Sequence, residues 1–209
     1  MGLGVLVTTR DDQRAATYRR IVDVAVESLV ESGFAATTTV EVQRRAGISR
    51  GALLHHFPMR EQLFTAAVNR LVQVNLEAMW AELAAAPADA DPVTRGVWVM
   101  RRASRRPSFG AELELWGAAR TDERLRTALR AAERGALAEL HAVIDAIFGL
   151  EITARPHYPI VVDLTVQLMR GLAISASLQE RVREDEPLID HWADIVRGLL
   201  AADAVRPDS

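Results

Sequence analysis

Between Ser49 and His56 the chain reads SRGALLHH, a short run whose arginine and histidines can make directed polar contacts. Arg50 carries a planar fork of donors whose spacing matches guanine O6 and N7, a contact worth about 1–3 kcal/mol of base discrimination. The same fork also fits a phosphate, and both readings stand. Gly51 has no side chain to hold a partner away, Leu54 can meet a thymine methyl, and His55 can reach a base edge or a phosphate. His56, about 100° further round a helix, can instead brace the fold behind it. Upstream, Thr38 and Thr39 stand where a helix would begin, and the free N–H groups of a helix start favour a phosphate. Arg60 is a further phosphate candidate. This is the chemistry of gripping a polyanion.

Little else in the sequence competes with it. No HExxH, GxSxG, P-loop or GxGxxG pattern occurs, and there is no cysteine for thiol catalysis or thiolate ligation. The rings of His55 and His56 diverge on a helix and chelate one ion poorly. His141 and Asp145, four apart, share a face but read as an ordinary side-chain contact. Glu112 and Glu114 flank Leu113, point to different sides, and form no carboxylate pair. The sequence predicts no enzyme, no metal and no cofactor.

For Arg50 to face outward, two short helices must hold it. Thr38, with Glu41 three residues on, predicts a capping box: the hydroxyl accepts from the Glu41 N–H and the carboxylate reaches back. Val42 and Ala46 lie four apart on one face. Gly47 supplies a positive φ to end that helix, and Ile48 tucks beneath the turn. Ser49 restarts the chain as an N-cap, Leu53 and Phe57 face inward, and Pro58 stops the second helix. Two helices joined by about three residues around a glycine make a helix-turn-helix, whose second helix fits a major groove.

The run from Ile21 to Phe64, 44 of the 209 residues, resembles the DNA-binding region of the TetR family of transcriptional regulators. The shared features are a first helix, the Gly33–Phe34 turn, a Thr-capped helix, the AGIS turn, a recognition helix ending in HHF, and a following EQLF helix. Three positions depart from the family pattern. Leu54 replaces a phosphate-binding tyrosine, Met59 replaces a polar cap, and Gln43 replaces a small alanine. The resemblance implies an all-α fold with an N-terminal three-helix helix-turn-helix head on a larger helical ligand-binding and dimerisation body. The head spans residues 1–58, with 1–9 as a flexible tail, and the body 59–209. It further implies a dimer on double-stranded DNA and a small-molecule effector held between the long helix and the three after it. Candidate wall residues are Trp80, Trp98, Phe109, Leu113, Trp116 and Met169, suited to a hydrophobic or aromatic molecule.

Composition agrees with an ordinary globular chain: 49% hydrophobic, 25% charged. No apolar run approaches the roughly 20 residues of a membrane span, and no secretory leader is evident, so a cytoplasmic protein is expected. All 25 basic residues are arginine, read as a bias of genome composition. Residues 1–60 carry a net charge of +2 and residues 61–209 a net −5, a mild contrast that can orient a protein on a polyanion. Arg10, Arg14, Arg19 and Arg20 precede the core stripe Ile21, Ala25, Leu29 of a helix over about 13–32. They are either an arm for the DNA backbone or a solvated helix start. Arg101, Arg102, Arg105 and Arg106 read as a solvated face.

A long helix is expected over 60–85, a shorter one over 93–105, then SFGAELELWGAAR, and a helix capped at Thr121 or Asp122 and ended by Gly149. The last two helices, over 157–179 and 187–202, are apolar on two sides. One stripe of each packs on its own body. The other, Ile160, Leu164, Leu168 and Leu172 with Leu188, Trp192, Ile195 and Leu199, predicts a twofold four-helix bundle with a second copy. The function expected is a repressor released by its ligand. The alternatives are an activator or co-repressor of the same fold, or a helical ligand-binding or scaffold protein without DNA binding.

Overall fold

Three helices make the head: α1 (Arg10–Ala36), α2 (Thr39–Ala46) and α3 (Arg50–His56). The computed structural model describes residues 10–178 and 186–203 and, among these, helix is the only regular element; the tail 1–9 and a helix end at Gln179 lie outside the described residues. Helix α1 runs longer than its apolar stripe, which buries Ile21, Ala25 and Leu29. Its regular backbone breaks at Gly33, with φ 78° and ψ 174°. A side chain there would be strained and would also meet the Glu114 carboxylate, 2.8 Å from a Cβ. Buried Thr37 locks the corner, its hydroxyl donating to the Gly33 carbonyl at 2.8 Å and lying 3.0 Å from the Ser28 hydroxyl.

Thr38 caps α2, accepting from the Glu41 N–H at 3.2 Å. The return half of the expected box is absent. Glu41 instead accepts from Arg44 at 2.7 and 2.9 Å and from Arg45 at 2.6 Å, since charged donors outcompete a backbone amide for the same oxygens. Arg45 continues to Glu31 at 2.6 Å and Ser32 at 3.1 Å, tying α2 to α1. Gly47 takes the left-handed conformation (φ 62°, ψ 37°) that turns the chain. The N–H groups of Gly47 and Ile48 return to the carbonyls of Arg44 and Gln43. Ser49 then caps α3 through the Ala52 N–H at 3.1 Å, and Leu53 and Phe57 are buried beneath it.

Helix α4 (Arg60–Ala85) has 26 residues and is about 39 Å long. Its start lacks a side-chain cap from Met59, but Gln62 accepts from the Met59 N–H at 3.3 Å. The body adds α5 (Pro92–Ser104), α6 (Pro107–Ala118), α7 (Glu123–Phe148), the single turn α8 (Leu150–Thr153), α9 (Tyr158–Ser177) and α10 (Glu186–Ala202). Asp91 caps α5 and Asp122 caps α7; the turn α8 was not foreseen. Helix α4 packs chiefly on α7 and α1, with α5 alongside. Head and body meet where Glu114 accepts from the Phe34 N–H at 2.8 Å and Arg70 from α4 reaches Asp23 at 3.1 Å; within the body, Arg124 of α7 pairs with Glu61 of α4.

Of the arginine cluster at the end of α5, Arg102, Arg105 and Arg106 are exposed, as expected of a solvated face, and Arg101 departs from it. Arg101 is buried and donates to Ser104, while Arg102 and Arg106 flank Glu82 at 3.9 and 2.5 Å. Helix α9 has 20 residues and a mean hydropathy of 1.4, enough by those measures alone to cross a membrane. Its polar groups serve the body, however. Thr165 accepts from the Trp192 indole at 3.0 Å, and the Arg170 guanidinium lies 4.2 Å from the centre of the Trp116 ring.

Candidate nucleic-acid interface and body cavity

The helix-turn-helix presents one continuous exposed face. Arg50, Gly51, Leu54 and His55 all lie on it, and Ser49, spent as a cap, is exposed at its edge. Arg50 makes no ion pair among the described residues, so its fork is free. Leu54 is 46% exposed, an apolar side chain held in water at the centre of a polar face. Thr38 is exposed at the start of α2 and Thr39 is half-buried beside it. Val40, also on this edge and 72% exposed, was missed by the sequence reading because nothing polar marks it.

His56 and Arg60 differ from their neighbours. His56 is half-buried, with its ring tilted against Tyr18 at 6.5 Å, while Tyr18 stacks on Phe57 at 5.0 Å. Burial, then the adjacent His55 and Arg14, push the His56 imidazole below its ordinary value, which suits a neutral brace. Arg60 rests over the Phe64 ring at 4.9 Å, and Phe34 meets Phe64 edge-on at 5.6 Å. Arg10, Arg14, Arg19 and Arg20 are exposed along the first turns of α1.

A cavity of about 270 Å³ opens between α4, α5, α6, α7 and α9. Of the expected wall residues, Phe109 and Met169 line it. The other four are placed elsewhere, each for a reason of packing. Trp80 is 40% exposed on α4, and Leu113 is half-buried outside the lining. Trp98 turns to α10, where its indole donates to Asp190 at 3.0 Å. Trp116 backs onto Arg170, so the guanidinium stands between it and the space.

The remaining wall is apolar (Val72, Leu76, Met79, Met100, Ile144 and Val166 among others) except for one polar quadrant. There Asn75 donates to Glu112 and more distantly to the Ser108 carbonyl, with Glu133 and Arg170 close by. Burial pushes both carboxyls up, Glu112 further under the repulsion of Glu133, against the opposing pull of Asn75 and Arg170 on Glu112 and of Arg170 and Trp116 on Glu133. Sequence reasoning missed this quadrant. A signal was present, since Asn75 follows Leu71 by four residues inside a stripe that otherwise buries aliphatic groups.

On the outer side, Ile160, Leu164, Leu188 and Ile195 are 43–47% exposed, with Leu168, Leu172, Trp192 and Leu199 half-buried between them. The opposite faces bury Val161, Thr165 and Met169 on α9, and Ile189, Ala193, Val196 and Leu200 on α10. The described residues contain no group of three or more metal-ligating side chains.

Residues 21–67 match the family model of the bacterial regulatory proteins of the tetR family. An HTH-type transcriptional repressor of Mycobacterium tuberculosis is 31% identical over 127 residues, 56% of this chain and 68% of that protein. CymR of Pseudomonas putida, an HTH-type transcriptional regulator, is 26% identical over 197 residues, 92% of this chain and 95% of its own. Among solved structures, the multidrug binding protein EbrR complexed with ethidium superposes with a TM-score of 0.60 at 20% identity, covering 91% of this chain and 99% of that one. A transcriptional regulator from Saccharomonospora viridis in complex with choline gives 0.59 at 17%, covering 90% and 96%. These likenesses carry the fold, and the sequence relatives carry the lineage. The chain belongs to the TetR family of bacterial transcriptional regulators.

Proposed function

We propose that the protein is a dimeric repressor, released from its operator by a small, largely apolar ligand held in the body cavity. The head, to residue 58, grips DNA through Thr38, Thr39, Ser49, Arg50, Gly51, Leu54 and His55, with Arg50 reading guanine and Arg60 on phosphate once it leaves Phe64. The body, from residue 59, holds the ligand and pairs with a second copy through the outer faces of α9 and α10. The observation that carries this reading is α4 itself. It is one unbroken rod from Arg60 under the head to Asn75, Leu76 and Met79 in the cavity wall, so a shift at one end is felt at the other. Two recognition helices must meet half-sites about 34–36 Å apart or a multiple, and a change of a few ångströms releases them. That EbrR and the Saccharomonospora protein are seen with small molecules supports a ligand-taking body. Such a protein works where the DNA is, in the cytoplasm.

The test is selection of genomic fragments by the purified protein at low salt, followed by sequencing. A twofold-symmetric site should be enriched, and its affinity should fall by about 0.9 log unit per log salt for each phosphate contact. Arg50→Ala should flatten preference at one base pair per half-site, while Thr38→Ala weakens all sequences alike. Absence of any enriched site would end the proposal. A reporter strain deleted for the gene separates repression from activation.

A further inference from the structure

The cavity is built for acceptors and short of donors. Asn75 Oδ1 and Glu133 Oε1 are shut from solvent with no hydrogen-bond partner among the described residues. The Trp116 indole N–H lies toward Glu133 without closing a well-aligned bond and is itself unpartnered. Asn75 already spends its donors on Glu112 and the Ser108 carbonyl. Two carboxyls therefore share the quadrant with one cation, Arg170, which Trp116 backs from behind. A buried acceptor left unmatched costs about 1–3 kcal/mol, and a second buried carboxylate without a counter-charge costs more. A ligand that supplied a donor and a positive charge would relieve both at once. A neutral apolar ligand would relieve neither, and an anion would add to the repulsion.

From this arrangement we infer that the effector is an amphipathic cation: an ammonium, amidinium or protonated amine head facing Glu112, Glu133 and Asn75, on an apolar body lying along Phe109 and Met169. The inference rests on the reading above that this cavity is the effector site. Helix α4 gives Asn75, α6 Glu112, α7 Glu133 and α9 Arg170, while on α5 Arg101 is engaged with Ser104 of the wall. The charges acting on the two carboxyls are Arg170 on both and, on Glu112, Glu133. One carboxylate balances Arg170. The other is raised by burial, and an incoming cation favours its ionised form. Binding is therefore linked to proton release. Affinity should rise by about tenfold per pH unit below that carboxyl's raised value and level off above it.

The test uses three probes sharing one body: 4-phenylbutylammonium, 4-phenylbutanol and 4-phenylbutyrate. Each is titrated calorimetrically into the full-length protein, free of DNA, between pH 5 and pH 8. The ammonium should bind at least tenfold tighter than the alcohol at pH 8 and should release a proton in the rising part of its profile. The alcohol should show a flat profile and the carboxylate should bind weakest. The isosteric changes Glu133→Gln and Glu112→Gln, each checked for an intact melting transition, should abolish the ammonium's advantage over the alcohol. Equal binding of ammonium and alcohol, tighter binding of the carboxylate, or no binding of the ammonium would overturn the assignment. Retention of the selected DNA fragment is then measured with the ammonium present. Tight ammonium binding that leaves the DNA complex intact would refute release while sparing the ligand class, whereas preference for the carboxylate would refute the class and spare the regulator.

Discussion

Ser49 and Arg50 are neighbours with opposite duties. The Ser49 hydroxyl is spent inside the fold, on the Ala52 N–H at 3.1 Å, whereas Arg50 has no ion-pair partner among the described residues. Ser49→Ala should therefore cost about 1 kcal/mol in a denaturant titration, and Arg50→Ala should leave that midpoint in place. A second position tests packing. A Cβ at Gly96 would stand 2.7 Å from the Phe148 ring, which is fully buried and has nowhere to move. Gly96→Ala should destabilise by about 1–3 kcal/mol, the usual cost of overfilling a core; an unchanged melting temperature would show that α5 yields more than its packing suggests. Local roles of this kind were legible from sequence. Thr38, Gly47 and Ser49 act on atoms three or four residues away, so type and spacing suffice. The destination of the Glu41 carboxylate was not, because it depends on which of several charged donors arrives. Arg44 first, then Arg45, hold its carboxyl at about 2.

At the scale of helices, periodicity located α4 and the two-sided character of α9 and α10. It also distinguished the inward stripe of α10 (Ile189, Ala193, Val196, Leu200) from the outward one. It did not place the tryptophans, since an indole's partner is set by tertiary packing: Trp98 finds Asp190, 92 residues on. Nor could spacing show that Glu112, unpaired with Glu114 as expected, would meet Glu133 across a neighbouring helix. The outward apolar faces invite a direct check. Leu164→Asp combined with Ile195→Asp, on positions each 43% exposed, should give a folded monomer by analytical ultracentrifugation, with unchanged helical circular dichroism and weak operator binding. If the double variant remained a dimer, the pairing surface would lie elsewhere.

Across the whole molecule, the polar quadrant that serves as the proposed ligand site acts against the stability of the fold. Glu112 and Glu133 have carboxyls raised by burial, so the folded state binds protons more tightly than the unfolded chain. Stability must then fall as pH rises from the ordinary carboxyl value of about 4.5 to the raised one, and remain lowered above it. Glu112→Gln should raise the melting temperature at pH 8 and raise it less at pH 5. Glu41 acts in the opposite sense. Its support of the head is complete above about 4.5 and fades as pH drops toward about 2. Calorimetric scans of Glu112→Gln against the parent at pH 5 and pH 8, and of Glu41→Gln against the parent at pH 5 and pH 3, check the two signs.

Helix α6 turns one carboxylate to the cavity and, two residues later, offers another to the Phe34 amide at the broken end of α1. That amide has its acceptor only because a distant part of the chain reaches over to supply it. The seam between reading DNA and sensing a molecule is thus not a hinge with idle space but a shared joint. Under the proposed function, an occupant that displaces Glu112 is expected to move this rod of 12 residues and so loosen the Glu114–Phe34 contact. News of an occupant can reach the corner of α1 and α2 by this second road, without travelling the length of α4.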